Sequence, residues 1–339
     1  MFREVLMKIT EACPCRCAFC DAHDKYANYH NFEIDDGKWM DCCKDLVLSG
    51  VEIVIISGGE ALVRAELVYR MIDYLKSNNV FVVLNTSGAL FYSSKVLDEL
   101  ISHYPSLLVF SVDSVNSREH DESRCFQGLY ERVCESIKYI KGKSKYPVAI
   151  RTVITKRNYM QLPEIIKHFT LLGVDCIKLT HIEDDYKEDY LLTEHDQMIL
   201  EKTVKPHILH ILEQVSNPET KTYAENRRKV NMLFKREGVS VTDYAKSNFA
   251  PNMVNNKRCD LITRFITIQS NGDYLPCCEA EHHGWPILGN IKSDKLKDVL
   301  TSIEYMKILQ KRQEYCIRCT EWDNFQLNIE NTCRKVNTR

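Results

Sequence analysis

The sequence predicts an α/β protein with a partial (β/α)6 TIM-like barrel followed by a small cysteine-rich extension. Short apolar segments alternate with amphipathic segments over the first half of the chain, and cysteines cluster again near the C-terminus. The six predicted strands are residues 5–9, 53–57, 80–85, 107–113, 148–154 and 176–180. The helices predicted between them are residues 36–49, 65–77, 94–103, 129–141 and 160–172. Each helix is long enough to return the chain across a sheet, so we expect parallel strands with right-handed crossovers.

The chain divides into three predicted regions. Residues 1–185 form the barrel core, 186–254 a helical connecting region, and 255–339 the cysteine-rich extension. Helical patches at 198–215 and 223–236 would either cover the barrel mouth or pack on the barrel without contacting anything reactive.

Composition excludes several classes of protein. A chain of 339 residues with 44% hydrophobic and 27% charged content can bury a substantial core. A net charge of −2 provides no basic field, so no nucleic-acid partner is expected. No apolar run approaches the ~20 residues of a membrane helix, and the first residues lack an export signal. We therefore expect a cytoplasmic protein whose fifteen cysteines stay reduced.

Three cysteines follow the first predicted strand in a CxxxCxxC pattern: Cys13, Cys17 and Cys20. Three thiolates can hold a [4Fe–4S] cluster and leave its fourth iron open to a small molecule. Zinc usually takes four protein ligands and would need Cys15 as well. We interpret Cys15 as a bystander inside the longer spacer. A disulfide framework does not fit a chain of this size without an export signal.

At these residues the chain resembles the radical SAM family, in which an aromatic residue precedes the last cysteine of CxxxCxxC. Phe19 occupies that position. The resemblance implies that the amino and carboxylate groups of S-adenosylmethionine (SAM) chelate the open iron. It also implies that one electron splits SAM into methionine and a 5′-deoxyadenosyl radical, with flavodoxin or ferredoxin as the reductant.

A two-glycine motif ends the second predicted strand: Ser57, Gly58, Gly59 and Glu60. Adjacent glycines let a backbone approach a ligand closely, although an ordinary strand-to-helix turn would use them too. The resemblance implies that this turn holds the amino group of the methionine moiety and that Glu60 supports the loop.

Polar residues at three further strands are candidates for binding SAM. They are Asn85, Ser111, Asp113 and Arg151. Capping or turn roles are the alternative for the first three. Arg151 lies within an apolar strand, where a cation is costly unless it meets an anion, and the SAM carboxylate is a suitable one.

The extension carries a second cysteine set: Cys259, Cys277, Cys316 and Cys319. Four cysteines can bind zinc or a [4Fe–4S] cluster, and spacing alone does not separate the two. The pattern is similar to the SPASM/twitch extension of radical SAM enzymes, which implies auxiliary [4Fe–4S] clusters.

A hairpin at 266–277, with its turn at 270–273, and the stretch 288–291 fit the same module. The cysteine count favours one auxiliary cluster that is saturated by protein and transfers electrons, with a structural role as the alternative.

Several reactions remain open. Only eight residues precede Ile9, so no leader-binding domain is expected there, and we favour oxidation of a small polar metabolite such as an aminocyclitol or sugar alcohol. Radical modification of a ribosomal peptide, by epimerisation or cross-linking with a separate leader-binding partner, is the alternative. Cys278 is a candidate hydrogen donor, or simply a buried apolar cysteine. A non-catalytic Fe–S electron carrier is the hypothesis from another class.

Further polar side chains are candidate bases or substrate contacts, with surface solvation as the default. They are His181, Glu183, Asp184, Asp185, Glu279, Glu281, His282 and His283.

Overall fold

The computed structural model describes residues 4–20, 32–182, 188–215, 264–278, 280–281 and 284–315. The strands are β1 (Glu4–Lys8), β2 (Ile53–Ser57), β3 (Phe81–Thr86), β4 (Leu107–Ser111), β5 (Val148–Ile154), β6 (Cys176–His181), β7 (Phe265–Ile268), β8 (Asp273–Leu275) and β9 (Gly289–Asn290). The first six helices are α1 (Asp36–Leu48), α2 (Ala65–Ser77), α3 (Ser94–Ser102), α4 (Ser117–Arg124), α5 (Leu129–Lys143) and α6 (Leu162–Leu172). The remaining α-helices are α7 (Glu194–Ile199), α8 (Lys205–Val215), α9 (Leu296–Thr301) and α10 (Ile303–Tyr315).

The strands of the described residues form one sheet in the order β6-β5-β4-β3-β2-β1-β7-β8-β9. All pairs from β6 to β1 are parallel, which confirms the predicted six-stranded α/β core. The parallel pairing continues from β1 to β7, and β8 and β9 then add antiparallel. The hairpin predicted at 266–277 is therefore present, and it extends the sheet of the barrel.

Most predicted bounds agree with the structure to within two residues. β4 ends at Ser111 rather than at residue 113. The helix α4 was missed because its sequence, SREHDESR, contains no aliphatic or aromatic core residue and so shows no apolar periodicity. Instead it begins at the cap Asn116, whose side chain accepts from the amide of Glu119, and it buries polar residues.

The face of the strands opposite the helices carries an apolar floor below a polar rim. Floor residues form a separate buried cluster: Ile53, Val83, Leu107, Val109, Ala149 and Cys176. Polar residues lie on the same face of the strands, nearer to their C-terminal ends. They are Lys8, Ser57, Asn85, Ser111, Arg151 and Lys178. Four predicted SAM contacts, Ser57, Asn85, Ser111 and Arg151, thus lie at the edge where barrels of this kind place their chemistry.

The connecting region is helical over its described part. α7 and α8 are joined by a π-helical turn, Leu200–Val204, and α8 packs against α6 of the barrel. Val204 of the π-helical turn and Ile208 of α8 are buried. The helix predicted at 198–215 is confirmed, and the one predicted at 223–236 lies outside the described residues. The regional boundaries themselves stay predictions. Among the described residues, no helix has the length and apolarity needed to cross a membrane.

Candidate active site

The cysteine loop directly follows β1. Cys13, Cys17 and Cys20 are partly exposed, whereas Cys15 is buried. The amide of Cys20 donates to the carbonyl of Cys17 over 3.0 Å and so closes the turn that carries the last two cysteines. The difference in exposure favours Cys13, Cys17 and Cys20 as ligands and Cys15 as a core residue.

The C-terminal end of α4 supports the loop from one side. The amide of Arg16 donates to the carbonyl of Arg124 over 3.2 Å, and the amide of Ala18 donates to the carbonyl of Ser123 over 2.8 Å. Carbonyls in the last turn of a helix have no intrahelical partner, so the cysteine loop supplies the missing donors.

The two-glycine turn supports the chain just before Cys13. The amide of Gly59 donates to the carbonyl of Thr10, and that of Glu60 donates to the carbonyl of Ala12, both over 2.7 Å. A Cβ atom on Gly58 would lie 2.3 Å from the carbonyl oxygen of Thr10, and one on Gly59 would lie 2.5 Å from that of Ala12. The two glycines therefore let this turn approach the backbone of residues 10–12 closely, and their contact with SAM stays a prediction.

Glu60 connects this turn to the end of β3. Its carboxylate is buried and accepts from the Thr86 hydroxyl at 2.9 Å, the Ser87 amide at 2.7 Å and the Ser87 hydroxyl. The Leu62 amide donates over 3.3 Å to Oε1, the oxygen that also accepts this Thr86 bond, whereas both Ser87 groups donate to Oε2. Burial raises the pKa of Glu60, and these hydrogen bonds oppose that effect. The supporting role expected for Glu60 agrees with this geometry.

Asp113 forms a buried ion pair with Arg124. Nε of Arg124 lies 2.6 Å from Oδ2 of Asp113, and Nη1 lies 3.7 Å from Sγ of Cys17. The guanidinium carbon lies 5.3 Å from the centre of the Phe19 ring, which also meets Tyr190 edge to face. Burial alone would lower the pKa of Arg124, but the attraction of Asp113 and Cys17 outweighs it and raises the pKa. Two predicted SAM contacts, Phe19 and Asp113, are thus brought together around Arg124.

His120 forms a hydrogen bond with the backbone of Asp113. Its Nδ1 accepts from the amide of Asp113 at 3.2 Å, and burial lowers its pKa to about 4. Nε2 of His120 is buried without a hydrogen-bond partner.

The remaining predicted SAM contacts share the inner face of the barrel. Ser57, Asn85, Ser111 and Arg151 are partly exposed there, and Arg151 makes a long hydrogen bond of 3.4 Å to the Thr180 hydroxyl. They approach the rim from four strands, so their assignment as SAM contacts stays a prediction.

The hairpin β7–β8 reaches the same loop from the other side. The Ser270 hydroxyl donates to the buried carboxylate of Glu11 over 2.8 Å. Burial raises the pKa of Glu11, while the bond from Ser270 opposes it. At the rim, Glu281 lies 3.8 Å from Nζ of Lys8 and accepts from Gln269 at 2.6 Å.

The second cysteine set is only partly described. Cys277 is buried just after β8, and Cys278 next to it is partly buried. Cys259, Cys316 and Cys319 lie outside the described residues, as do the predicted contacts 183–185, 279, 282 and 283. The auxiliary ligand set and the hydrogen-donor role of Cys278 stay predictions.

The first cysteine set fits a cubane cluster. Within the described residues, no three Cys, His, Asp or Glu side chains converge on one metal ion. A cubane does not need such convergence, because each cysteine binds a different iron. Three partly exposed thiols on one short loop therefore fit a [4Fe–4S] cluster.

A partial barrel with a three-cysteine loop at its rim defines a protein that presents an iron–sulfur cluster to a bound small molecule. The family model of the radical SAM superfamily matches residues 7–169, and that of the iron–sulfur cluster-binding SPASM domain matches 259–320. The chain belongs to the radical SAM superfamily and carries a SPASM domain. These families imply a SAM-binding [4Fe–4S] cluster, SAM and an auxiliary cluster.

Known relatives are distant. The PqqA peptide cyclase of Bradyrhizobium diazoefficiens is 24% identical, over 53% of this chain and 46% of its own length. The pre-heme d1 synthase of Dinoroseobacter shibae is 25% identical, over 52% of this chain and 43% of its own length. The chain thus spans about half the length of these curated relatives.

Among solved structures, Streptococcus suis SuiB bound to precursor peptide SuiA superposes with a TM-score of 0.63 and 17% identity. The match covers 95% of this chain and 70% of that one, and it shows a shared fold.

Sequence reasoning missed Arg124, Glu11 and Ser270. Arg124 lies on a helix without apolar periodicity, and the only available signal was an arginine eleven positions after a candidate acidic residue. Ser270 and Glu11 are separated by 259 positions, and no local pattern links them.

Proposed function

We propose that this chain reductively cleaves SAM and uses the resulting radical to modify a ribosomally made peptide. The observation that carries the proposal is the cysteine loop, in which Cys13, Cys17 and Cys20 are partly exposed while the backbone is held by α4 and the two-glycine turn. When bound, the cluster and SAM supply a 5′-deoxyadenosyl radical, which abstracts a hydrogen atom from the substrate.

The protein's own residues bind the cluster and orient SAM. Cys13, Cys17 and Cys20 hold the cluster, and Arg151 pairs with the SAM carboxylate across the rim. The floor cluster around Val83 and Val109 closes the barrel below the rim with apolar side chains, which keeps water from the reacting atoms.

The substrate class rests on the relatives' names. The PqqA peptide cyclase and SuiB with its precursor peptide support a peptide substrate, and they favour it over the small-metabolite dehydrogenation expected from the sequence. A separately encoded leader-binding protein and a flavodoxin or ferredoxin are the proposed partners.

The first experiment tests SAM cleavage. The protein is reconstituted anaerobically with iron and sulfide, mixed with SAM and dithionite, and assayed for 5′-deoxyadenosine. Wild type and Cys15→Ala should form it, since Cys15 is a core residue, whereas Cys17→Ala should not. Equal loss in Cys15→Ala and Cys17→Ala would contradict the ligand assignment, and no cleavage in an iron-loaded wild type would favour the electron carrier.

The second experiment tests the substrate class. A low-molecular-weight extract of the native organism grown in deuterated medium is divided into peptide and metabolite fractions. Hydrogen abstraction transfers deuterium to 5′-deoxyadenosine, where mass spectrometry detects it. We expect deuterium transfer from the peptide fraction. The transfer should be lost when that fraction is first digested with protease and the protease is removed by ultrafiltration. Deuterium transfer only from the metabolite fraction would overturn the peptide assignment.

A further inference from the structure

Arg124 is a buried cation beside a cysteine of the loop. Its side chain is 9% exposed, and Nη1 lies 3.7 Å from Sγ of Cys17. The guanidinium also lies over the Phe19 ring in a cation–π contact, which adds to its hydrogen bonds. The loop and the helix end are also joined through the backbone of Arg124, which accepts from Arg16.

Asp113 is the counter-ion, and it is held in place by groups other than Arg124. Its Oδ1 accepts from the amide of Val153 at 3.4 Å, and its backbone amide donates to His120. Its carbonyl accepts from the side chain of Asn158 at 3.0 Å. The strand end therefore fixes the negative charge, and the guanidinium lies between that charge and the cysteine sulfur.

A buried ion pair is a poor way to gain stability, because desolvation offsets its attraction. An apolar pair of similar volume would pack the helix end against the strand at least as well. A buried charge next to Cys17 therefore points to a role toward the group that Cys17 holds.

We propose that Arg124 raises the reduction potential of the cluster held by Cys13, Cys17 and Cys20, with Asp113 limiting the increase. The inference rests on the proposed function, since it concerns the same cluster. Arg124 acts through Cys17 and is a positioning residue that does not itself touch the reacting atoms.

The charge balance gives the direction. Reduction adds one electron to the cluster, takes it from the 2+ to the 1+ state, and moves no proton; the electron comes from the flavodoxin or ferredoxin partner, or from dithionite in vitro. A nearby cation stabilises the added negative charge, and a hydrogen bond to a cysteine sulfur acts in the same direction. A nearby carboxylate opposes both effects.

The test measures the midpoint potential of the reconstituted protein by EPR-monitored redox titration, without any substrate. The relevant signal is the one that SAM addition changes, and the auxiliary cluster serves as an internal control. For Arg124→Gln we expect a more negative potential, with the ratio of reduced to oxidised cluster at a fixed potential falling about tenfold, which corresponds to about 59 mV for one electron. Arg124→Lys, which keeps the charge, should restore most of that loss.

Asp113→Asn should shift the potential in the opposite direction, because it leaves the cation uncompensated. Arg118→Gln is the matched control: Arg118 lies on the same helix, is paired with Glu122 at the surface, and should change nothing. A structural role alone would move the Arg124 and Asp113 variants in the same direction, through loss of cluster or of folding.

Unchanged potentials, equal shifts for Arg124→Gln and Arg124→Lys, or a shared sign for Arg124→Gln and Asp113→Asn would each overturn the proposal. If Arg124→Gln fails to hold iron, the direction in which Asp113→Asn shifts the midpoint potential decides the proposal. The potential of Arg124→Lys then serves for comparison. Failure of the peptide assignment would leave these potentials unaffected, so the two proposals fail separately.

Discussion

The backbone amide of Ser87 donates to Oε2 of Glu60 over 2.7 Å, while the amide of Leu62 donates to Oε1 over 3.3 Å. Each oxygen of this buried carboxylate therefore accepts from a backbone N–H, a group that can donate a hydrogen bond but cannot accept one. A carboxylate has two acceptor oxygens, whereas a glutamine amide has one. The end of β3 and the two-glycine turn consequently require a glutamate between them.

Glu60→Gln should lower the free energy of unfolding by about 1–3 kcal/mol, because either orientation of the amide sets its NH2 group against a backbone N–H. Urea denaturation of the cluster-free protein measures this loss. Glu66→Gln, on the exposed face of α2, is the control and should change stability little. Equal stability of the two variants would show that the Ser87 and Leu62 amides find other acceptors.

Gly59→Ala should destabilise the protein by more than about 1 kcal/mol, since the new Cβ would lie 2.5 Å from the backbone oxygens of Glu11 and Ala12. The displaced loop should also load less iron. Gly142→Ala is the matched control, because it lies within α5 and no atom outside the local helix backbone comes within 4 Å of the added Cβ, so it should stabilise by up to about 1 kcal/mol. Thermal melting and iron content measure both variants, and a neutral Gly59→Ala would contradict the close approach.

Ser270→Ala removes the hydroxyl that donates to Glu11, so we expect a loss of about 1–3 kcal/mol from the unfolding free energy. Without that donor, the pKa of Glu11 should rise further. A double-mutant cycle with Glu11→Gln tests the coupling, because two residues that share a hydrogen bond should not give additive effects. Additive losses would mean that the hairpin and the cysteine loop are energetically independent at this contact.

His120 should make folding sensitive to acid. Its pKa falls from 6.5 to about 4 on burial, so the unfolded chain binds a proton that the folded chain rejects. The stability from neutral His120 is complete above pH 6.5 and is lost as pH falls toward 4, by about 3 kcal/mol in total. Urea unfolding of the cluster-free protein between pH 7 and 4 measures the slope.

His120→Asn keeps an acceptor for the Asp113 amide but does not titrate, so its stability should fall less steeply over the same range. Parallel slopes for wild type and variant would exclude a buried neutral imidazole.

The barrel was predictable because each of its signals is local. Strands β2 and β5 and helix α2 agree with the sequence prediction at both ends, since each is a short apolar or amphipathic run between turn residues. The CxxxCxxC and two-glycine motifs were also recognisable, because their spacing is set within a few residues.

The contacts that hold the site could not be predicted in the same way. Arg124 reaches Cys17 across 107 positions from a helix that lacks an apolar face, and Ser270 reaches Glu11 across 259. The parallel pairing of β7 with β1 is equally non-local. Only the folded chain shows that Gly58 and Gly59 approach the backbone of residues 10–12.

The pairing of β7 with β1 limits how the chain can be divided into fragments. Because β7 continues the sheet at β1, a fragment that ended before residue 264 would leave the N–H and C=O groups of β1 unpaired along one side. Such an exposed strand invites association with other chains. The radical SAM and SPASM regions should therefore unfold in one cooperative transition, and expression of the barrel alone should yield aggregates rather than a smaller folded protein.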